Sequence, residues 1–389
     1  MTIMAPDEFY QACNLTGNPF RSNPTHTSDP RIDIWVGYER QQAQLVKFLQ
    51  RTRADQVGNT NFVMLYGGYG TGKSHALLWA QNRILNVEKS DYNSVCYFAP
   101  TLKKAKGQLT FAGAFTDDIV AKSTLISDIL SYKTFLGTSI MRYRDEHGVA
   151  HDTKDDAIIE KLIPAVELYN FAKQIFRCDN PEEVKALVAP KGLSDYQAVT
   201  NFTRIVNLFV HEIESVSGKR RYKKAAYLFI DELDDLGRAS AKEAREVNDS
   251  LRHLYDGCPN CFGLVIALSA EIAEFTSLFE EYILTRIQRR IELHLLDKDD
   301  AVTFVTAIMD RSRVDEMGPS GPYPFEESAI DAIASQLVEI TPRKIVNTMQ
   351  QVIEEVRLAE LDPREHAIGI SELDDADVLA EVFGEGGIA

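Results

Sequence analysis

Gly67-Gly68-Tyr69-Gly70-Thr71-Gly72-Lys73-Ser74 satisfies the pattern G-x-x-x-x-G-K-[ST] at every fixed position, and it leaves few folds open to this chain. The pattern works where a buried strand turns directly into a helix. Both flanks meet that need. The apolar run Phe62-Val63-Met64-Leu65-Tyr66 comes before the glycines, and the helix-like stretch Ala76-Leu77-Leu78-Trp79-Ala80-Gln81 comes after them. Glycines let the backbone curl so that several N–H groups converge on phosphate oxygens at a helix N-terminus. Lys73 is then expected to reach the β- and γ-phosphates, and the Ser74 hydroxyl to ligate Mg²⁺. The rival is a glycine-rich turn with a chance Lys-Ser, and the strand and helix on either side weigh against it. The expected ligand is a nucleoside triphosphate.

Further apolar runs read as strands buried on both faces of a parallel sheet. They are Val95-Cys96-Tyr97-Phe98, Tyr227-Leu228-Phe229-Ile230 and Gly263-Leu264-Val265-Ile266-Ala267-Leu268, and Ile291-Glu292-Leu293-His294-Leu295 alternates as an edge strand would. Ser240-Ala241-Lys242-Glu243 is a capping box opening a helix with Val247, Leu251 and Leu254 on one face. Two βαβ units need about 60 residues, yet the chain runs from Ser74 to Asp231 before the third strand ends. The surplus, about 103–217, has helical periodicity (Ile158, Ile159, Leu162, Val166; Ile205, Leu208, Phe209) broken at Gly148, Asn180-Pro181 and Pro190-Lys191-Gly192, and it reads as a large helical insertion. After the sheet, Asp297 caps a helix bearing Val302, Val305 and Met309, and a helix with Ile330, Ile333 and Leu337 follows. Thr341-Pro342 then opens one with Ile345, Met349, Val352 and Val356. The expected organisation is an extended arm over 1–30 (with turns at Asn18-Pro19, Asn23-Pro24 and Asp29-Pro30), an α/β domain over 31–296, a helical lid over 297–360, and an acidic tail over 361–389 that frays.

Asp231-Glu232 closes an apolar strand downstream of the phosphate loop. Asp231 is expected to hold the Mg²⁺ shell, through water because Mg²⁺ dehydrates reluctantly. Glu232 is expected to polarise the attacking water as general base. With both acids present, hydrolysis is favoured over mere binding.

Charge and cysteine content narrow the partners. Lys and Arg number 42 against 58 Asp and Glu, a formal net charge of −16, so the surface as a whole repels polyanions. Any nucleic-acid contact must come from local patches. The candidates are Lys103-Lys104-Ala105-Lys106 and Lys219-Arg220-Arg221-Tyr222-Lys223-Lys224, with Tyr222 available to pack on sugar or base, or else plain solvated loop charge. The N-terminus has no basic flank or long apolar core, so no signal peptide is expected, and no run reaches the roughly 18 apolar residues of a membrane span. An odd number of cysteines, five, suggests reduced thiols and a cytoplasmic home. Cys258-Pro259-Asn260-Cys261, with His253 upstream, lacks a second ligand pair for zinc and reads as a turn into a buried strand.

With these motifs the chain resembles the AAA+ ATPases, specifically the branch of origin-recognition initiators and transposition regulators. Asp231-Glu232-Leu233-Asp234-Asp235-Leu236 is similar to that branch's acidic motif, and Asn18-Pro19-Phe20 with Val36-Gly37-Tyr38-Glu39 looks like its adenine-cupping N-terminal box. Ser269 stands where the family's sensor-1 polar residue ends a strand. Leu284-Thr285-Arg286-Ile287 resembles its arginine-finger segment, and Thr341-Pro342-Arg343 its sensor-2 helix start. The resemblance implies a P-loop NTPase fold, a five-stranded parallel sheet flanked by helices with a C-terminal α-helical lid. It also implies ATP with Mg²⁺ as cofactor, and nucleotide contacts from Gly67, Gly68, Tyr69, Gly70, Thr71, Gly72, Lys73, Ser74, His75 and Val36. Arg286 would act on a neighbouring copy's nucleotide, a role worth ~10³–10⁵ in rate, with Arg289 and Arg290 as rivals. Arg343 would couple the lid to the γ-phosphate. The insertion departs from the family pattern and leaves Thr101, a candidate switch partner for Glu232, open. No winged-helix domain is evident after the lid, which tells against direct origin recognition.

Two functions follow from that resemblance. One is an ATPase that oligomerises as a ring or filament and acts as a DNA-associated remodeller, loader or regulator of a partner machine. The other is a nucleotide-switched signalling or scaffold ATPase of a defence-type module, gating a partner protein without DNA. A remodeller that threads its substrate through a pore ranks last, because no aromatic-glycine pore loop stands out.

Overall fold

The computed structural model describes residues 5–20, 29–104, 107–150, 152–216 and 218–384. The turn at Asn23-Pro24, Ala105 and Lys106 of the first basic cluster, and the glycine-rich end beyond Gly384 lie outside the described residues. The strands are β1 (Asn61–Tyr66), β2 (Val95–Ala99), β3 (Ile213–Ser215), β4 (Gly218–Arg220), β5 (Ala226–Ile230), β6 (Phe262–Leu268) and β7 (Arg289–Glu292). Five of them make one sheet in the order β2-β5-β6-β1-β7, and β3 and β4 form a separate hairpin. The chain divides into two compact units, one of Gln44–Tyr66 and Ala80–Ile291, the other of Met1–Ala43, Gly67–Trp79 and Glu292–Ala389.

The first unit carries the sheet. Every residue of β1, β5 and β6 is buried, as a parallel sheet covered on both faces requires. Register runs Tyr66 beside Leu268 and Ile230 beside Ile266, with all three strands parallel. Their carboxyl ends therefore share one edge, where ligands gather in open α/β sheets. From that edge the chain leaves β1 into Gly67, β5 into Asp231 and β6 into Ser269. β7 starts two residues before the alternating pattern predicts. Gln288 sets its register, its backbone N–H donating to the Phe62 carbonyl at 2.9 Å while its side chain accepts from the Phe62 N–H at 3.2 Å.

The insertion is helical as expected, with helices Leu125–His147, Asp155–Leu162, Val166–Arg177, Pro181–Val188 and Asp195–Val210. The breaks fall at the punctuating residues: left-handed Gly148 ends the first helix, and the Asn180 side chain caps the fourth. The insertion shares the sheet's core. Phe202 is fully buried, with its ring 6.1 Å from those of Tyr97, Phe111 and Phe262. Cys258 and Cys261 are buried free thiols at the turn into β6, and no metal-holding cluster of His, Cys, Asp or Glu occurs among the described residues.

The second unit gathers the N-terminal helix and the C-terminal helices around the helix Pro342–Leu358. The N-terminal arm is helical over Pro6–Ala12, which its run of turn residues did not suggest. Tyr10 donates to the Glu354 carboxylate, and the Asn18 side chain donates to the same group at 3.0 Å. Helices Lys298–Asp310 and Glu327–Ser335 complete the bundle. The tail expected to fray instead folds into Ile370–Asp375 and Val378–Phe383, because Leu373, Val378 and Phe383 are apolar enough to bury. No helix among the described residues is long and apolar enough to cross a membrane.

Candidate nucleotide site

The phosphate loop has the backbone its sequence demands. Gly67, Gly70 and Gly72 lie at φ of 147°, 83° and 99°, where side chains with a Cβ are strained. Space is denied as well as torsion: a Cβ on Gly67 would sit 2.2 Å from the Leu293 carbonyl oxygen. The Thr71 hydroxyl donates to Gly68 at 2.9 Å, tying the curl together. Lys73, only 8% exposed, turns back over the loop and donates to the Gly67 and Gly68 carbonyls at 3.0 and 2.7 Å. Its ammonium is thereby held in the curl, and Ser74 stands exposed on the first turn of the helix Lys73–Asn82.

Arg343 meets this loop from within the same unit. Its backbone N–H donates to Gly70 at 3.3 Å, and its guanidinium lies 4.4 Å over the Tyr69 ring. Thr341 caps the helix by accepting from the Lys344 N–H, with Pro342 in the first turn, as the Thr-Pro pair predicts. A Cβ on Gly70 would come within 3.0 Å of Arg343 Cβ, so the glycine admits the helix start.

The segment around Val36 lies in this unit too. Val36 is half-buried, and Gly37, at φ 77°, has Asp300 and Leu296 side-chain atoms 2.7 Å from where a Cβ would be. Tyr38 donates to the His294 carbonyl at 2.6 Å. The Trp35 ring packs edge-on against Trp79 at 5.0 Å and against His75 at 6.2 Å. Trp35 Nε1 and His75 Nε2 are buried without a hydrogen-bond partner among the described residues. Burial holds the imidazole neutral, pulling its pKa down to about 4 against a hydrogen bond to the Ile34 backbone. Orphaned polar atoms of this kind call for an explanation. His75 and Trp79 are four apart on one helix, the only local signal that they share a face.

The acidic residues belong to the sheet unit. Asp231 is buried and donates its N–H to the Ala99 carbonyl at 2.9 Å. Glu232 donates its N–H to Asp231 Oδ1 at 2.9 Å and adopts the left-handed conformation, φ 50° and ψ 49°, with its side chain exposed. Strain of this sort at a non-glycine residue clusters at functional sites. Ser269 directly follows β6, and its N–H donates to the Asp234 carboxylate. Lys103, after Thr101, pairs with Asp235 at 2.8 Å.

Two expectations meet a different arrangement. Arg286 is committed inside its own unit, with Nε and Nη2 each 2.8 Å from the Asp256 carboxylate and Nη1 2.6 Å from the Tyr282 carbonyl. A cation so held must first be released to serve a neighbour. Arg290 is exposed, over the Phe275 ring at 5.7 Å. Tyr222 is not free to stack on a base. It packs 5.1–5.7 Å from the rings of Phe209, Tyr132 and Phe135, its hydroxyl donates to the Asp128 carbonyl, and burial pushes its pKa up to about 12. Around it, Lys219 and Arg221 pair with Glu212, and Lys224 with Asp55.

The five-stranded sheet in the order β2-β5-β6-β1-β7, with the glycine-rich loop following β1 and the acidic pair following β5, is the α/β arrangement expected of a P-loop NTPase. No family model matches the sequence, and no curated protein matches it. Among solved structures the chain is similar to a Walker-type ATPase of Pyrococcus abyssi, at 14% identity over 93% of this chain and 77% of that one, with a TM-score of 0.48. It is similar to the ORC1 protein of Aeropyrum pernix in complex with DNA at 11% identity, covering 91% and 69%, TM-score 0.48. Domain III of the Thermotoga maritima replication initiation protein DnaA gives 13%, 93% and 100%, TM-score 0.43. Likeness at this level carries nothing about activity.

Proposed function

We propose that this chain binds ATP with Mg²⁺ and hydrolyses it, and that it self-associates with nucleotide to act as a DNA-associated remodeller, loader or regulator of a partner machine. The observation that carries the reading is the phosphate loop itself, three glycines at positive φ with the Lys73 ammonium held inside the curl. Lys73 is placed to reach phosphate oxygens bound in the curl, and such a bond is charge-assisted. Ser74 and Asp231 are the residues that would hold Mg²⁺, which keeps several waters and needs no all-protein cage. When bound, the ion neutralises charge on the β- and γ-phosphates. Glu232 takes the proton of the attacking water, and its left-handed backbone fixes where the exposed carboxylate projects. Trp35, Val36 and His75 hold the base, and Ser269 and Arg343 report on the γ-phosphate. A neighbouring copy supplies the remaining cation, either Arg290 or an Arg286 released from Asp256.

One observation favours the second reading, a nucleotide-switched scaffold that gates a partner protein without DNA. Three of the five cations in the basic stretch 219–224 are paired with Glu212 or Asp55. ATP turnover per subunit, measured across protein concentration with and without duplex DNA, tests both. The account expects turnover that rises with concentration and falls by ~10²–10³ in Glu232→Gln while ATP binding persists. Stimulation by DNA supports the first reading, and indifference to it the second. Concentration-independent turnover contradicts the shared site.

A further inference from the structure

Resting on the ATP-binding reading, we infer that Tyr69 is a positioning residue that sets how sharply the site discriminates ATP from ADP, by holding the Arg343 guanidinium on its ring until a γ-phosphate competes for it. The phosphate-loop pattern leaves this position unspecified, and here it carries a large aromatic that is 72% exposed, so core packing does not explain it. The guanidinium 4.4 Å from the ring centroid is in cation–π range. Among the described residues Arg343 has no ion-pair partner, so the ring is its principal electrostatic contact. Its backbone is fixed beside the loop by the bond to Gly70 and by the Thr341 cap. Only side-chain torsions therefore separate the ring from a phosphate bound in the same loop.

Magnitudes decide the direction. An exposed cation–π contact biases an equilibrium by a factor of about 2–5, whereas a guanidinium–phosphate bond is charge-assisted and stronger. The ring thus delays Arg343 without trapping it, and ATP affinity is reduced by the fraction of time the guanidinium rests there. ADP, lacking the γ-phosphate, does not draw on Arg343 and is unaffected.

Dissociation constants for Mg²⁺–ADP and for a non-hydrolysable Mg²⁺–ATP analogue test this in wild type, Tyr69→Leu and Tyr69→Phe, each also with Arg343→Gln. Tyr69→Leu is expected to raise the ratio of the ADP to the analogue dissociation constant about 2–5-fold. Tyr69→Phe, which keeps the ring, restores the wild-type ratio, and with Arg343→Gln the Leu substitution has no effect on it. An unchanged or lowered ratio in Tyr69→Leu overturns the inference, as does an equal effect without Arg343. ADP binding reports folding in every variant, and Tyr69→Met replaces Tyr69→Leu if the latter fails to bind ADP. Wild-type protein that binds neither nucleotide sinks the ATP reading itself, whereas an unaltered ratio in protein that binds both sinks the inference alone.

Discussion

Glu232 holds a conformation that costs a non-glycine residue roughly 1–2 kcal/mol. Asparagine tolerates that region better, because its short amide bonds locally. Glu232→Asn is therefore expected to raise unfolding stability by about 0.5–1 kcal/mol while cutting turnover by ~10² or more. Denaturant unfolding set beside a turnover assay reads both, and a destabilised variant would show that the backbone is not strained there. The positions of Lys73, Ser74 and Asp231 can be read from the sequence because each follows closely on the end of a buried strand. The sequence hides the contact between Tyr69 and Arg343, since partners so far apart in the chain leave no local pattern. Tyr222 fails for the converse reason: an aromatic amid lysines reads as a surface residue until the rings that bury it are placed.

At the level of elements, β1, β2, β5 and β6 are legible because strands covered on both faces must be apolar throughout. Caps are legible too, since the Ser240 box and the Thr341-Pro342 start both form. The hairpin β3–β4 is not, because strands of three residues with polar exposed faces carry no periodicity. The insertion's helices can be read, but its integration cannot, because packing of Phe202 on Tyr97 and Phe262 is non-local. That packing predicts that Phe202→Ala destabilises the protein by about 3–5 kcal/mol, as loss of a core aromatic does. A loss under about 1 kcal/mol, the range of surface substitutions, would mean that the insertion folds apart from the sheet.

For the molecule as a whole, charge is the organising constraint. Against a net charge of −16, Lys103, Lys219, Arg221, Lys224 and Arg286 are each held in an internal pair. Two further cations lie on the phosphate loop and on the helix start that meets it. Lys73 turns toward carbonyls, and Arg343 rests on a ring. Such an arrangement has a use if a polyanionic ligand replaces those weak partners. Equilibrium titration of purified protein with Mg²⁺–ATP, wild type against Lys73→Ala, tests this most directly, with thermal melting to show that both are folded. The account predicts saturable binding by wild type and a loss of at least ~10-fold in affinity in the variant, the order of one charge-assisted bond. Equal affinity in the two folded proteins, or none in wild type, would contradict it.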